Sequence, residues 1–112
     1  MSIARITEIL GGYSAKTPAV ANVTITNANT EYTYTIPDDT KKIAFSIQDG
    51  VSTDNYRIAY ITGKVATPTA PYLKYNSDIE YSETNINLAG TTLYFAHSAG
   101  TKVAQIICWG GE

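Results

Sequence analysis

The sequence predicts an all-β fold: a single β-sandwich, jelly-roll-like or immunoglobulin-like, with a short N-terminal helix or arm. A length of 112 residues suits one domain and is too short for two. From residue 19 onwards, about seven short β-type segments alternate with turn residues, a pattern typical of sandwiches. Helical spacing of apolar residues occurs before residue 12. We therefore assign residues 1–17 to the arm and its linker, and residues 18–112 to the sandwich.

The N-terminal segment differs from the rest of the chain in its periodicity. Four aliphatic residues recur at or beside helical spacing, and a double glycine follows them. Two turns of helix are unstable alone in water, so these side chains need a surface to bury against. We predict that the segment is an attachment element, with the partner-binding side chains Ile3, Ile6, Ile9 and Leu10; the alternative is that they bury against the domain's own sheet.

Two segments are the clearest strands. Within residues 41–48, Ile43, Phe45 and Ile47 alternate with smaller or polar residues, which predicts one face in the core. Residues 102–109 are apolar on both faces. A strand of that kind is expected in the centre of a sheet, with both faces covered or with the N-terminal segment as its cover.

The middle of the chain is harder to assign. Two prolines within residues 67–71 predict a loop or an edge, because proline cannot donate to a strand ladder. Tyr72, Leu73 and Tyr75 predict a short strand after it. Residues 78–85 are polar and rich in turn formers, and we predict a connection there.

Charge and cysteine content limit the possible partners. The net charge is −2 and the basic residues are scattered, which argues against a nucleic-acid partner. No apolar run approaches the roughly 20 residues of a membrane span, and the start of the chain does not look like a secretory signal. We therefore expect synthesis in the cytoplasm and no membrane partner. The single cysteine, Cys108, is expected to be a small buried hydrophobe.

Candidate chemical groups are few. His97 and Ser98 are adjacent, but neighbours on a strand point to opposite faces, and a base must reach its nucleophile. The densest acidic group, Asp78, Glu80 and Glu83, has the spacing of no calcium loop. The sequence therefore predicts no catalytic residue, no cofactor site and no metal site.

Tyrosine is unusually frequent, with nine residues. Tyr72, Tyr75 and Tyr81 cluster near the proline-containing loop, and we predict that they contact a partner. A tyrosine ring combines a flat apolar face with a polar tip, which suits a protein contact or a sugar platform. The alternative is that such rings pair across strands and stabilise the sheet.

Three stretches of the sequence carry a resemblance to a known class of proteins. They are NTEYTYTIPDDTKKIAFSIQ (residues 29–48), YRIAYITG (residues 56–63) and INLAGTTLYFAHSAGTKVAQIICW (residues 86–109). Their order of strands and turns resembles that of small virion proteins of tailed bacteriophages, including head-decoration and other auxiliary particle proteins. The resemblance covers about four-fifths of the chain, from residue 19, and contains no catalytic signature.

The resemblance implies a β-sandwich that coats or joins parts of a particle and performs no chemistry. The expected function is capsid decoration through the major capsid protein or another virion protein, with localisation in the virion and assembly as a homo-oligomer. A carbohydrate-binding or receptor-binding module of a phage fibre or tail is the alternative. No functional residue carries over from the resemblance.

Overall fold

The fold is a β-sandwich of eight antiparallel strands. In the computed structural model, the residues described are 17–84, 87, 88 and 90–110, so the predicted arm, with Ile3, Ile6, Ile9 and Leu10, lies outside them. The strands are β1 (Ala19–Ile25), β2 (Tyr32–Thr35), β3 (Thr40–Ile47), β4 (Asn55–Ala59), β5 (Leu73–Asn76), β6 (Tyr81–Thr84), β7 (Thr92–His97) and β8 (Lys102–Gly110).

The strands form two four-stranded sheets. Sheet A has the order β1-β8-β3-β6, and sheet B has the order β2-β7-β4-β5. Successive strands alternate between the sheets for most of the chain, which is the arrangement of a jelly roll. The predicted sandwich is therefore confirmed, and of the two sandwich types considered, its strand order is that of the jelly roll.

The core lies between the two sheets, where the alternation of β3 places it. Ile43, Phe45 and Ile47 are buried as predicted. The Phe45 ring packs 5.0 Å from the ring of Tyr56 on β4 and 5.1 Å from that of Phe95 on β7, measured between centroids. Such tilted and edge-to-face contacts are favourable between rings and join the two sheets.

The position of β8 agrees with its apolar sequence. It lies in the centre of sheet A, paired with β1 on one side and β3 on the other. Its inward-facing residues are fully buried, whereas Val103, Ile107 and Trp109 on the outer face are only half-buried. Among the described residues, the inner face of β8 is therefore covered fully and the outer face in part, and the N-terminal segment predicted as an alternative cover lies outside them. The Lys42 ammonium lies 4.6 Å from the centre of the Trp109 ring.

One strand was not predicted. Tyr81–Thr84, inside the segment expected to be a polar connection, forms β6 and pairs with β3 at the edge of sheet A. A four-residue edge strand needs only one side chain in the core, here Tyr81, and its other residues stay exposed. So short a segment leaves almost no alternation to detect. The prolines of residues 67–71 lie in the loop between β4 and β5, as predicted.

Candidate binding surface

The loop between β4 and β5, residues 60–72, folds over the outer face of sheet B and is called the outer loop here. Val65 at its centre is fully buried with Ala59 and Ala96 of the sheet, and Tyr72 and Tyr94 pack against this small cluster. Sheet B therefore has apolar contacts on both of its faces. Such contacts explain why β4 is buried along both faces.

Arg57 fastens the outer loop to the sheet. It is only 4% exposed, although its neighbours Tyr56 and Ile58 take the inward-facing positions of β4. Its Nε–H donates to the Val65 carbonyl oxygen at 2.7 Å, and its terminal nitrogens donate to Asn55 Oδ1 at 3.1 Å and Asn29 Oδ1 at 2.8 Å. All three acceptors are neutral, and burial lowers the pKa of the guanidinium.

A second contact fixes the tip of the outer loop. Glu31 accepts hydrogen bonds from the Thr62 hydroxyl at 2.8 Å and from the Gly63 N–H at 2.9 Å. Gly63 has a φ of +85°, a conformation that a residue without a Cβ adopts at little cost. The outer loop is thus held at its tip and its centre by hydrogen bonds and by burial of Val65.

The outer loop and the edge of sheet B enclose a shallow pocket of about 230 Å³, called the Tyr72 pocket here. Its lining is aliphatic and aromatic: Ile58, Ala59, Tyr60, Ile61, Pro71, Tyr72 and Leu73. Ile61 and Leu73 at its rim are 54% and 41% exposed. An apolar depression with exposed aliphatic residues at its rim is typical of a surface that receives a partner's side chain.

The three tyrosines predicted to contact a partner lie at different depths. Tyr72 lines the pocket and is half-buried. Tyr75 is half-buried, with its ring 5.8 Å from those of both Tyr56 and Tyr81. Tyr81 is 3% exposed. Of the three, Tyr72 is therefore the one at the candidate surface, and Tyr81 serves as a core residue of this domain.

The hydroxyl of Tyr81 completes a polar contact inside the sandwich. It lies 2.8 Å from the Tyr60 hydroxyl and 3.2 Å from a carboxylate oxygen of Glu83. Burial raises the pKa of both phenols, so both stay protonated at neutral pH. The contact joins the end of β4 to β6 and supports the pocket from the inner side.

His97 has a partner that the sequence did not reveal. Its Nε2 lies 2.8 Å from the hydroxyl of Ser77, twenty residues away, and the adjacent Ser98 instead accepts a hydrogen bond from the Asn55 N–H. The Ala99 N–H donates to His97 Nδ1 at 2.9 Å. Nδ1 also lies 3.0 Å from the Ala99 carbonyl oxygen, which can only accept, so the neighbours of the ring do not assign its proton to one nitrogen.

This arrangement is not that of an accessible nucleophile and its base. A catalytic serine has to reach a substrate, so the serine and histidine of such a pair border a space that the substrate can enter. Both side chains are also buried, Ser77 at 1% and His97 at 0% exposure. Burial lowers the pKa of His97, which keeps the ring neutral. The pair is therefore a structural contact that holds the β5–β6 turn on the end of β7.

Other possible sites give no signal in the described residues. Within residues 17–84, 87, 88 and 90–110, no cluster of three or more His, Cys, Asp or Glu side chains is placed to hold a metal ion. The same part of the chain contains no helix long and apolar enough to cross a bilayer. Cys108 is buried, and its pKa is raised by that burial.

The sequence matches no protein-family model and no curated protein. Among solved structures, the chain is similar to a de novo designed double-stranded β-helix determined by solution NMR. The two are 13% identical, with a TM-score of 0.48, over 84% of this chain and 99% of the designed one.

Proposed function

We propose that this chain is a structural protein of a bacteriophage particle, a capsid decoration protein that binds the major capsid protein and catalyses no reaction. The observation that carries the proposal is the Tyr72 pocket. Its rim exposes Ile61 on the outer loop, which is already fixed by Arg57 and Glu31, and Leu73 at the start of β5. A fixed loop loses little conformational freedom on binding, which favours affinity.

The chemistry of the pocket favours a protein partner. An aliphatic rim gains free energy when an apolar side chain replaces water against it. The low content of charged residues, 16%, also suits a surface that is covered in use, because protein contact areas are depleted in charge. The resemblance of the strand order to phage virion proteins supplies the class of partner. The expected location is the virion, after synthesis in the host cytoplasm.

The alternative is a carbohydrate-binding or receptor-binding module of a phage fibre or tail. The ring of Tyr72 in the pocket favours it, since a tyrosine face can pack on a sugar ring. Sugars also need several hydrogen-bonding groups close to that ring, and most of the lining side chains are hydrocarbon. We therefore rank this function second. Specific binding on a glycan array, together with absence from particles, would reverse the order.

The test uses particles of the phage or prophage that encodes this chain. The chain is expected in the particle band after density-gradient sedimentation. Particles from a strain that lacks the gene are then mixed with purified protein and sedimented again. We expect the protein to bind, and we expect Ile61→Asp combined with Leu73→Asp to weaken binding at least about tenfold, because both charges enter an apolar contact.

The matched control is Val51→Asp. Val51 is also exposed, at 46%, but it lies outside the pocket, so its substitution should leave binding unchanged. Thermal melts of each variant show whether the domain stays folded. Absence of the chain from particles would contradict the phage assignment. Full binding by the folded double variant would instead contradict the use of the Tyr72 pocket.

A further inference from the structure

The two sheets have four edge strands, and β1 differs from the other three. β2, β5 and β6 have four residues each, and the last two carry Lys74 and Glu83. β1 has seven residues, Ala19–Ile25, with no charged residue and no proline. Its pairing with β8 runs through seven consecutive residue pairs with no bulge. Short length, charge, proline and bulges are the usual features that keep sheet edges from pairing with other chains, and β1 has none of them.

The outer edge of β1 also has free hydrogen-bonding capacity. A strand has backbone groups directed to both sides, and a ladder on one side uses only half of them. Among the described residues, β8 is the one strand that pairs with β1, and no other backbone group bonds to residues 19–25. The neighbouring side chain Val20 is 67% exposed. Within the part of the chain that the structure describes, the outer edge of β1 and its outward side chains Val20, Asn22 and Thr24 are therefore open to another strand.

We propose that β1 pairs with β1 of a second copy of this chain, antiparallel across a two-fold axis, so that the two A sheets form one continuous eight-stranded sheet. The sequence of β1 is complementary to itself in this orientation. With Asn22 opposite the same residue of the second copy, Val20 lies opposite Thr24 and no charges meet. Two side-chain amides facing each other can donate and accept at once.

A second copy fits this edge better than an unrelated strand does. A two-fold interface uses the same surface on both partners, so one self-complementary strand is sufficient to build it. β-branched residues opposite one another are favoured cross-strand pairs, and Val20 with Thr24 is such a pair on the outer face. The inference does not depend on the phage assignment, because purified protein alone can show it.

The test introduces a charge at Asn22, in the centre of the proposed interface. Sedimentation of the purified full chain is expected to show a concentration-dependent dimer. Asn22→Lys and Asn22→Glu each place two like charges opposite one another, and each alone should raise the dissociation constant by about tenfold. An equimolar mixture of the two variants should dimerise again, because Lys then faces Glu. Simple misfolding would not be rescued by mixing.

Thr33→Lys is the matched control. Thr33 is an exposed residue on the short edge strand β2, so a lysine there should leave the dimer intact. Hydrogen exchange gives a second measurement: amide protection should increase with protein concentration in residues 19–25. A chain that stays monomeric up to millimolar concentration would overturn the proposal. So would a dimer whose affinity does not change in either Asn22 variant.

Discussion

The space between the sheets and the space beneath the outer loop are filled in different ways. Between the sheets, rings and branched aliphatic side chains pack closely around Phe45, with no charged residue among them. Beneath the outer loop, three small apolar residues are buried beside a guanidinium that binds neutral oxygens. The first interior is filled by apolar volume, with the hydroxyls of Tyr56 and Tyr81 hydrogen-bonded at its margin, whereas the second needs every hydrogen bond of Arg57 in place.

This difference separates the contacts that stabilise the fold from the contacts that fix the position of the outer loop. Burial of apolar area is non-directional, so the main core stabilises the fold without fixing any one loop. Hydrogen bonds from a planar guanidinium are directional, so Arg57 fixes the position of the outer loop and hence of the Tyr72 pocket. Four substitutions test this division, in order of expected effect.

Phe45→Ala removes the residue that joins both sheets, and it should have the largest effect. We expect a loss of about 3–5 kcal/mol in the free energy of unfolding, because a large ring leaves a cavity that the two sheets cannot close. Urea denaturation measures it. Ser46→Ala, on the half-buried outer face of the same strand, should change stability by less than about 0.5 kcal/mol. Equal effects of the two would show that the inward face has been misassigned.

Arg57→Met should detach the outer loop from sheet B more than it should destabilise the domain as a whole. The change keeps much of the side-chain length but leaves the Val65 carbonyl and two amide oxygens without their donor, at a cost of about 2–3 kcal/mol. Hydrogen exchange should rise in residues 60–72 more than in β3. Lys102→Met, which removes a half-exposed contact to Asp54, should cost less than about 0.5 kcal/mol. Unchanged exchange in the outer loop would show that Val65 alone holds it.

Gly50→Ala tests the close contact beside Ser77. A Cβ at residue 50 would overlap the Ser77 carbonyl oxygen, so the β5–β6 turn must move, at about 1–3 kcal/mol. Gly63→Ala is the comparison, since a Cβ there meets nothing within 4 Å and only its positive φ is unfavourable, at about 1 kcal/mol. A smaller effect at residue 50 than at residue 63, by thermal or urea unfolding, would contradict the steric argument.

His97 should make stability fall in mild acid. Its pKa is lowered in the folded chain, first by burial and further by Lys102 and Arg57, while Asp54 and the Ala99 backbone oppose the shift. The unfolded chain then binds more protons just below the ordinary pKa of 6.5. The stability that depends on neutral His97 is fully present above about pH 6.5, and it is lost as the pH falls from there towards the pKa of His97 in the folded chain.

Urea denaturation between about pH 8 and about pH 5 measures this dependence. His97→Asn keeps an acceptor for the Ala99 N–H but cannot titrate, so its stability should change less with pH over the same interval. Equal slopes for both proteins would assign the dependence to the carboxylates instead.

The main core could be read from the sequence, and the second interior could not. Strict alternation around Phe45 determined one face of β3, and apolar residues on both faces placed β8 in the centre of its sheet. The sequence shows Arg57 in the middle of an apolar strand, but it does not show the acceptor. That acceptor, Asn29, is 28 residues away, and no periodicity links the two residues. The apolar Ala59 on the same face was the one available sign that this face is covered.

The candidate site was predicted in part. Pro71 of the proline-containing loop lines the pocket, as does Tyr72, one of the three tyrosines predicted to contact a partner. The position of Ile61 at the rim was not predicted, because the apolar pattern of residues 56–61 continues past the end of β4 at Ala59. The depth of Tyr81 depends on how β6 faces β4 across the sandwich, which is a tertiary property.

The central position of β8 affects the order in which the domain can form on a ribosome. β8 is the last of the eight strands in the chain, yet it separates β1 from β3 in sheet A. Until it emerges, β1 has no ladder in its own sheet, whereas β2, β4 and β7 of sheet B are already available. The pairing of β1 with β8 spans most of the chain, and pairings so distant in sequence form slowly. Sheet A can therefore close around β1 only after the last described strand has been made.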